Sequence, residues 1–341
     1  MREPNDCTFG TNGLATAFIT YNAENIVSVA SFYDAEGRDR ELPIEEAASK
    51  ALGEQQLVWF DIEASDQQTL SKLANALHIP SEAIGSCDNQ PPRGVVAFET
   101  MFTFDLIRAS VSGKPIRFIV SGPWLVTIRN DPVSYFEKFR ERDRGESLLG
   151  RLTPLALAGS LFDCHLEEYH VEAEAIQTRL DALDSEILHA RKRRSPLVEL
   201  TRLRRTTARL HVRLEAHRPL VHSMLRPDFA PAADESASDF FHTLESHYER
   251  AEDALDRARE YVIGSFDLYA TRTAQSTNDL VRTLTIVTVA TGLSAAIGGI
   301  FGMNFDIPFF HTGIVGFAAV TGATFCIALG IILYARHRGW F

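Results

Sequence analysis

Two long apolar runs near the C-terminal end dominate the hydropathy pattern of the chain. The first contains no charged residue between Arg282 and Asp306, which leaves 23 uncharged positions. The second contains no Asp, Glu, Lys or Arg from residue 307 to residue 334. A helix needs about 20 apolar residues to cross the hydrocarbon layer of a bilayer, so these runs predict transmembrane helices at about residues 283–304 and 313–335.

Heptad patterns precede these runs and predict three long helices, each with one buried face. Pro196 is placed to begin the second helix, and Pro219 is placed to kink or end it. The third helix has no proline between Phe240 and Phe301, so it is expected to continue unbroken into the first transmembrane helix. The expected buried faces are Leu166, Tyr169, Ala173, Ile176, Leu180, Leu183, Ile187 and Ala190; Leu200, Leu203, Thr207, Leu210, Leu214, His217 and Val221; and Phe241, Leu244, Tyr248, Ala251, Leu255, Ala258, Val262, Ser265 and Tyr269.

The first 150 residues combine short β-type runs with short amphipathic helices. The overall prediction is an α+β cytoplasmic N-terminal domain with a mixed or antiparallel sheet, followed by long coiled-coil helices and two C-terminal transmembrane helices of a membrane protein. The expected domains are residues 1–150, a helical stalk over 151–282 and a membrane domain over 283–341. Strands are predicted within residues 15–34, 57–62, 95–109, 115–121 and 125–129, and helices over 44–52, after an Asp66 cap, and over 132–142.

Charge and motif content exclude several classes of function. The chain has 45 acidic residues against 34 Lys and Arg, and its net charge of -11 predicts attraction of cations and no nucleic-acid partner. It has no phosphate-binding loop, GxSxG or HExxH motif, so neither an enzyme nor an organic cofactor is predicted. Cys7, Cys87, Cys164 and Cys326 show no CxxC spacing, which fits a reducing cytosolic side.

Basic residues on either side of the apolar runs predict the topology. Arg272 and Arg282 precede the first run, Arg336 and Arg338 follow the second, and the short loop between has neither Lys nor Arg. By the positive-inside rule both termini are expected to be cytoplasmic, in a multi-pass protein of the cell (inner or plasma) membrane. The opening sequence MREPNDCTFG lacks the regions of a secretory signal, so no cleaved signal is expected.

A stripe of small and polar residues runs along the first apolar segment. A helix that serves only as an anchor does not need such a stripe, which suits close helix packing or a water-filled axis shared by several copies. Its members, which recur in steps of three and four, are Asn278, Val281, Thr285, Thr288, Gly292, Ala295 and Gly299.

At the outer end of the first apolar run, Gly302-Met303-Asn304 is followed by a short loop, one more apolar run and a basic terminus. Together with Asn278 at the inner end, this arrangement resembles the CorA family of magnesium transporters, most strongly over residues 265–341. The resemblance implies a homo-oligomer, a pentamer, that is embedded in membrane lipid and conducts divalent cations through a pore lined by the first membrane helix.

The resemblance also implies roles for individual residues. Gly302, Met303 and Asn304 would form the entrance, where five Asn304 side chains bind a hydrated ion. Asn278 would form an inner polar ring, and Asp267 a cation site about 16 Å further in. Mg²⁺ releases its water reluctantly, so neutral carbonyl oxygens can select the hydrated ion. Mg²⁺ is thus the implied transported ion and a candidate regulatory ion, moved without ATP by the membrane potential.

The sequence departs from the family pattern at several positions. Gly292 stands where the family has a large apolar gate residue, so closure is expected at Val281 and Leu284, which completes the predicted pore lining. A pore threonine of the family corresponds to Ala295. The carboxylate used by the family to sense magnesium between subunits corresponds to Thr243, so sensing through that position is not expected.

Other interpretations remain open from the sequence alone. The transported ion could be Zn²⁺, Co²⁺ or Ni²⁺, or the chain could be a non-transporting, membrane-tethered coiled-coil sensor or scaffold. Asp267 could equally be an ordinary solvated carboxylate. A structural role is favoured over a zinc site for the helical histidines, which are His165, His170, His211, His217 and His222.

Overall fold

The computed structural model describes the chain in nine stretches, and it divides into two compact units. One unit comprises Met1–Ala173 with Arg209–Asp256, and the other comprises Glu174–Ala208 with Arg257–Phe341. The described residues are 28–36, 39–53, 55–85, 94–110, 113–142, 153–189, 196–226, 235–303 and 313–337.

The first unit is built on a mixed β-sheet. Within the described residues the strand order is β2-β1-β3-β7-β6-β5-β4. Strands β3 and β7 pair in parallel, and the other described pairs are antiparallel, which confirms the predicted mixed sheet. The strands are β1 (Val29–Asp34), β2 (Arg40–Leu42), β3 (Gln56–Glu63), β4 (Val96–Ala97), β5 (Met101–Ile107), β6 (Pro115–Ser121) and β7 (Trp124–Arg129).

One strand prediction was wrong. A single strand over residues 95–109 was expected, but the chain turns between β4 and β5, which pair with each other. The amide of Phe98 donates to the carbonyl of Met101 at 2.7 Å and closes this turn. The sequence does not show the turn because β-type residues stand on both sides of it, although β4 is exposed and β5 is mostly buried. The strand region predicted within residues 15–34 was expected to form a hairpin, and its part before residue 28 lies outside the described residues.

Helices cover both faces of the sheet. On one face, α1 (Ile44–Ser49), α2 (Gln67–Leu77) and α3 (Ser81–Ile84) contribute to a core with Val58, Phe60 and Val126. The predicted cap is confirmed, since the Asp66 side chain accepts a hydrogen bond from the Thr69 amide at 3.1 Å.

The opposite face carries aromatic contacts from α4 (Ser134–Arg142) and α5 (Pro154–His189). The ring of Trp59 meets that of Phe136 edge-on at 5.0 Å, and Phe104 lies 6.4 Å from Phe162. The strands alternate side chains between these two layers, which makes this part of the chain a helix–sheet–helix sandwich.

Four further helices follow: α6 (Pro196–Glu215), α7 (Arg218–Met224), α8 (Glu235–Phe301) and α9 (Gly313–His337). The expected unbroken third helix is confirmed, because α8 runs for 67 residues. Pro219 lies in the first turn of α7, so the second long helix ends before it, as predicted. The heptad faces are confirmed as well: the expected positions on α5 to α8 are buried, apart from half-buried Tyr269 and from Ala190, which lies outside the described residues.

Two buried histidines of the first unit confirm the structural interpretation of these side chains. The Nε2 of His217 accepts a hydrogen bond from the amide of Ile107 at 2.8 Å, and the Nε2–H of His165 donates to the carbonyl of Ile107 at 3.0 Å. The hydroxyl of Tyr169 donates to the same carbonyl at 2.5 Å, and that of Tyr135 donates to Nδ1 of His165 at 3.1 Å. These neutral side chains complete the backbone hydrogen bonding at the end of β5.

Burial determines the protonation of this cluster. It lowers the pKa of His217 to about 4. It also holds the pKa of His165 well below its ordinary value, and the nearby His217 lowers that pKa further. It also raises the pKa of Tyr135 and of Tyr169. All four groups are therefore neutral at pH 7, which the hydrogen-bond pattern requires.

Candidate functional site

The candidate site lies on the apolar C-terminal part of α8, in the second unit. Both α8 and α9 contain a segment long and apolar enough to cross a membrane. In the most apolar segment of α8 only 6% of the residues are buried, and in that of α9 none are. A soluble protein would bury such helices in its core, so the exposed surface is suited to lipid or to other subunits.

One face of α8 is directed towards α9. Ser294, Ile297 and Phe301 of α8 share a cavity of about 500 Å³ with Gly316 and Val320 of α9. The same face continues inwards through half-buried Ala290 to Ile286, which is 7% exposed. With about 100° between successive residues, these α8 positions fall within roughly 40° of one line along the helix.

The predicted stripe lies on the opposite face. At about 100° per residue, Val281 to Gly299 of the stripe centre on a line roughly 180° from the face that meets α9. Every member is exposed in the single chain, including Val281 at 54%. The structure therefore brings together, on one open face of α8, the residues Val281, Thr285, Thr288, Gly292, Ala295 and Gly299, with Asn278 and Leu284 at its two margins.

The threonine hydroxyls of this face have a defined orientation. Thr285 Oγ1 donates to the carbonyl of Val281 at 2.8 Å, and Thr288 Oγ1 donates to that of Leu284 at 2.8 Å. Each proton is directed to the helix backbone, which leaves the oxygen lone pairs free to accept hydrogen bonds. Such oxygens can accept from the water molecules that surround a cation.

The outer end of α8 closes with a tight turn. The amide of Gly302 donates to the carbonyl of Gly298 at 2.9 Å, and that of Met303 donates to the carbonyl of Ile300 at 3.3 Å. A Cβ at position 302 would lie 3.0 Å from the Gly298 oxygen, so glycine suits this close approach. Met303 is 52% exposed, and the predicted entrance residue Asn304 lies outside the described residues.

The inner end of the stripe carries charge. Asn278 and Asp267 are both exposed on the same unbroken helix, about 16 Å apart along its axis. Arg282 lies 3.7 Å from Asp279 in an exposed ion pair beside Asn278. Within the described part of the chain, no three His, Cys, Asp or Glu side chains lie close enough to hold a metal ion. The face thus offers single ligands that several copies of the chain would have to combine.

Sequence reasoning missed a group of buried charges in the first unit. Asp61 is fully buried on β3 and pairs with Arg129 at 2.8 Å and with Arg140 at 2.7 Å. The only signal in the sequence is an acidic residue within the apolar run of β3. The two arginines are 68 and 79 residues away along the chain, so the pairing depends on the fold.

Comparisons with known proteins identify the family of the chain. The family model described as CorA-like Mg²⁺ transporter protein matches residues 54–337. The chain is 24% identical, over 70% of its length and 68% of the relative, to the cobalt/magnesium transport protein CorA of Thermotoga maritima. It is 23% identical to the putative metal ion transporter YfjQ of Bacillus subtilis, over 83% of this chain and 89% of that protein.

Solved structures show the same fold. The CorA magnesium transporter of Methanocaldococcus jannaschii matches with a TM-score of 0.73 at 19% identity, over 93% of this chain and 99% of that one. The full-length CmaX protein matches with a TM-score of 0.68 at 16% identity, over 91% and 99% of the two chains.

The match to the family model, together with the two apolar helices, defines a class, the metal-ion transporters of membranes. Since the family model covers well over half of its length, the chain belongs to the CorA-like Mg²⁺ transporter family, whose members carry divalent metal ions.

Proposed function

We propose that the chain forms a passive channel for divalent cations, with Mg²⁺ as the main ion, in which the exposed stripe of α8 from several copies surrounds a wet axis. The proposed assembly is a homopentamer in the cell membrane with both termini in the cytoplasm. The membrane potential supplies the driving force, about 2.3 kcal/mol per charge per 100 mV, or about twice that for a divalent ion.

The observation that carries this proposal is the separation of two faces on one helix. The face of α8 that meets α9 is partly covered within the chain, whereas the stripe on the opposite side is rich in small and polar residues and exposed. Both threonine hydroxyls donate to the helix backbone but keep free lone pairs, which lipid cannot partner, so this exposed face favours contact with water or with other copies.

The uncharged character of the stripe suits transport of a hydrated ion. Mg²⁺ gives up its water reluctantly, so amide and hydroxyl oxygens that bind the hydration shell can pass the ion without stripping it. Asn304 would select at the outer entrance, and Thr285 and Thr288 would then accept from the moving shell. Val281 and Leu284, which are 54% and 65% exposed, would close the axis by excluding water when the copies approach.

The alternative function, a membrane-tethered scaffold, does not explain the polar residues of the stripe. A tether needs an apolar surface on every side, whereas Thr285, Thr288 and Gly292 place hydroxyls and a gap on one exposed face of α8. Gly and Thr at such spacing also allow close helix packing, so packing alone could account for the stripe without transport. Ion flux separates the two functions.

The test is uptake of Mg²⁺ into liposomes that contain the purified full-length protein and a magnesium-sensitive dye. An inside-negative potential is expected to drive uptake, and the Asn304→Ala variant is expected to lose it because the entrance loses its amide oxygens. The oligomer size of the variant in detergent should equal that of the parent chain.

The matched control is Asn25→Ala, an amide removed far from the membrane helices in the sequence. This control should transport like the parent. Absence of dye response from the parent would end the channel proposal, and retained uptake in Asn304→Ala would remove that residue from the entrance. Competition by Co²⁺, Zn²⁺ and Ni²⁺ in the same assay ranks the ions, and any of them that is taken up faster than Mg²⁺ would replace it as the main ion.

A further inference from the structure

A second site-like feature lies in the first unit, in the part assigned to the α+β domain. A cavity of about 360 Å³ opens where β1, β2 and the C-terminal part of α4 come together. It is lined by Ser31, Phe32, Tyr33, Asp39, Arg40, Glu41 and Arg140. The proposed ion pathway uses none of these residues.

Two buried polar atoms of the lining residues lack hydrogen-bond partners, Oγ of Ser31 and Nε of Arg140. Nη1 of Arg129, which pairs with the same carboxylate as Arg140, lacks a partner as well. Ser31 is 5% exposed and Arg129 is 7% exposed. Buried polar groups in folded proteins are almost always paired, so two unpaired donors in one cavity, with a third on the arginine that shares Asp61 with Arg140, indicate a missing acceptor.

Positive charges outnumber negative ones in the ion-pair group of Asp61, Arg129 and Arg140. Asp61 is fully buried and is held by both Arg129 and Arg140. The hydroxyl of Thr127 donates to the same carboxylate at 3.2 Å, so its lone pairs are well used. Two guanidinium groups against one carboxylate leave one excess positive charge in a buried position, where water screens it weakly.

The rim of the cavity adds a third cation. The guanidinium of Arg40 lies 5.7 Å from the centre of the Phe32 ring, which holds it at the opening. Asp39 and Glu41 also lie at the rim, and Asp39 accepts a hydrogen bond from the Asp34 amide at 2.9 Å. Glu41 is exposed, so water screens its charge, and half-buried Asp39 is already engaged by the Asp34 amide, so both oppose an anion less than Arg129 and Arg140 favour it.

We propose that this cavity binds a small phosphate monoester, with the phosphate against Arg140 and Ser31. A phosphate group supplies several acceptor oxygens, and the fork of a guanidinium matches its geometry. A cavity of about 360 Å³ lies at the lower end of the range for small-molecule sites, which suits a ligand of the size of a nucleoside monophosphate. The bound anion balances the excess charge that Asp61 leaves uncompensated.

Isothermal titration calorimetry tests this site on the full-length protein in detergent, in a phosphate-free buffer without divalent cations. AMP is the probe, with inorganic phosphate and adenosine as competitors. Saturable binding of AMP is expected, with displacement by phosphate. The Ser31→Ala and Arg140→Lys variants should each bind AMP about tenfold more weakly, because each loses one donor to a charged group.

Thermal unfolding without ligand checks that the two variants fold like the parent. Arg140→Lys retains a cation beside Asp61, and Ser31→Ala removes one hydroxyl, so both should unfold near the temperature of the parent without ligand. Arg179→Lys is the matched control, since Arg179 is in an exposed ion pair with Glu199 in the other unit, and it should bind AMP like the parent. No saturable AMP binding, equal binding in all variants, or displacement by adenosine but not by phosphate would each overturn the proposal.

Discussion

At the scale of single residues, buried polar side chains hold the end of β5 to the helices beside it. His217 and His165 contact the amide and the carbonyl of one residue, Ile107, from positions 110 and 58 residues away in the chain. The sequence identified both as structural side chains but could not name their partner. The reason is that a histidine has two nitrogens of alternative role, and only the fold decides which backbone group each one meets.

His217 makes stability depend on pH. Its pKa is about 4 in the folded protein, below the ordinary 6.5, so the unfolded chain binds the additional proton between these values. The stabilisation is complete above pH 6.5 and declines as the pH falls towards 4, by on the order of 3 kcal/mol. In His217→Gln, the thermal midpoint of the detergent-solubilised protein should fall less between pH 7.5 and pH 5 than in the parent.

The control for this prediction is His222→Gln, because His222 is exposed on the neighbouring α7. It should keep the pH dependence of the parent. His165 remains in every variant, and loss of His217 removes part of what lowers its pKa, so its change acts in the same direction in His217→Gln. An unchanged slope in His217→Gln would show that the side chain is protonated as readily in the folded protein as in the unfolded one.

At the scale of elements, the sequence predicted what local patterns encode. The absence of proline after Phe240 predicted the unbroken α8, and the heptads predicted its buried face. Which face of α8 meets α9 was not predictable, because Ala290, Ser294 and Gly298 are as small as the members of the stripe. Small residues permit close packing on either side, and only the placement of α9 decides between them.

Gly264 tests the continuity of α8. It lies inside the helix, and a Cβ built there meets nothing within 4 Å. Alanine lacks the conformational freedom that glycine loses in a helix, so Gly264→Ala should stabilise the protein by about 0.5–1 kcal/mol. Gly264→Pro removes a helix hydrogen bond and should destabilise it by about 3 kcal/mol or more.

Thermal unfolding in detergent measures both substitutions, and circular dichroism checks the helix content of the proline variant. A lower midpoint for Gly264→Ala would mean that another copy of the chain occupies the space beside position 264. An unaffected proline variant would mean that the helix is not continuous there.

At the scale of the whole molecule, the exposed stripe of α8 offers isolated ligands, and the described residues of a single chain do not combine them into a metal site. Asn278 and Asp267 are lone ligands on an exposed helix, and the described residues provide no complete metal site. Symmetric copies around an axis turn each such residue into a ring, so a functional site can arise from positions that are isolated in one subunit. The sequence could predict the stripe because its spacing along one helix is local, but it does not show which residues lie opposite the stripe in the proposed assembly.

Cysteine substitution tests whether the stripe faces water in the assembled protein. In a background with the four native cysteines replaced, Thr288→Cys should react with a water-soluble, membrane-impermeant thiosulfonate reagent, because a thiol reacts as the thiolate and needs water. Val289→Cys, one residue further along and 51% exposed in the single chain, is the matched control and should stay unreacted in lipid. Mg²⁺ should slow modification at position 288 alone, by occupying the same axis. Equal labelling at the two positions, or labelling at 289 only, would turn the stripe towards lipid and leave the chain without its proposed pathway.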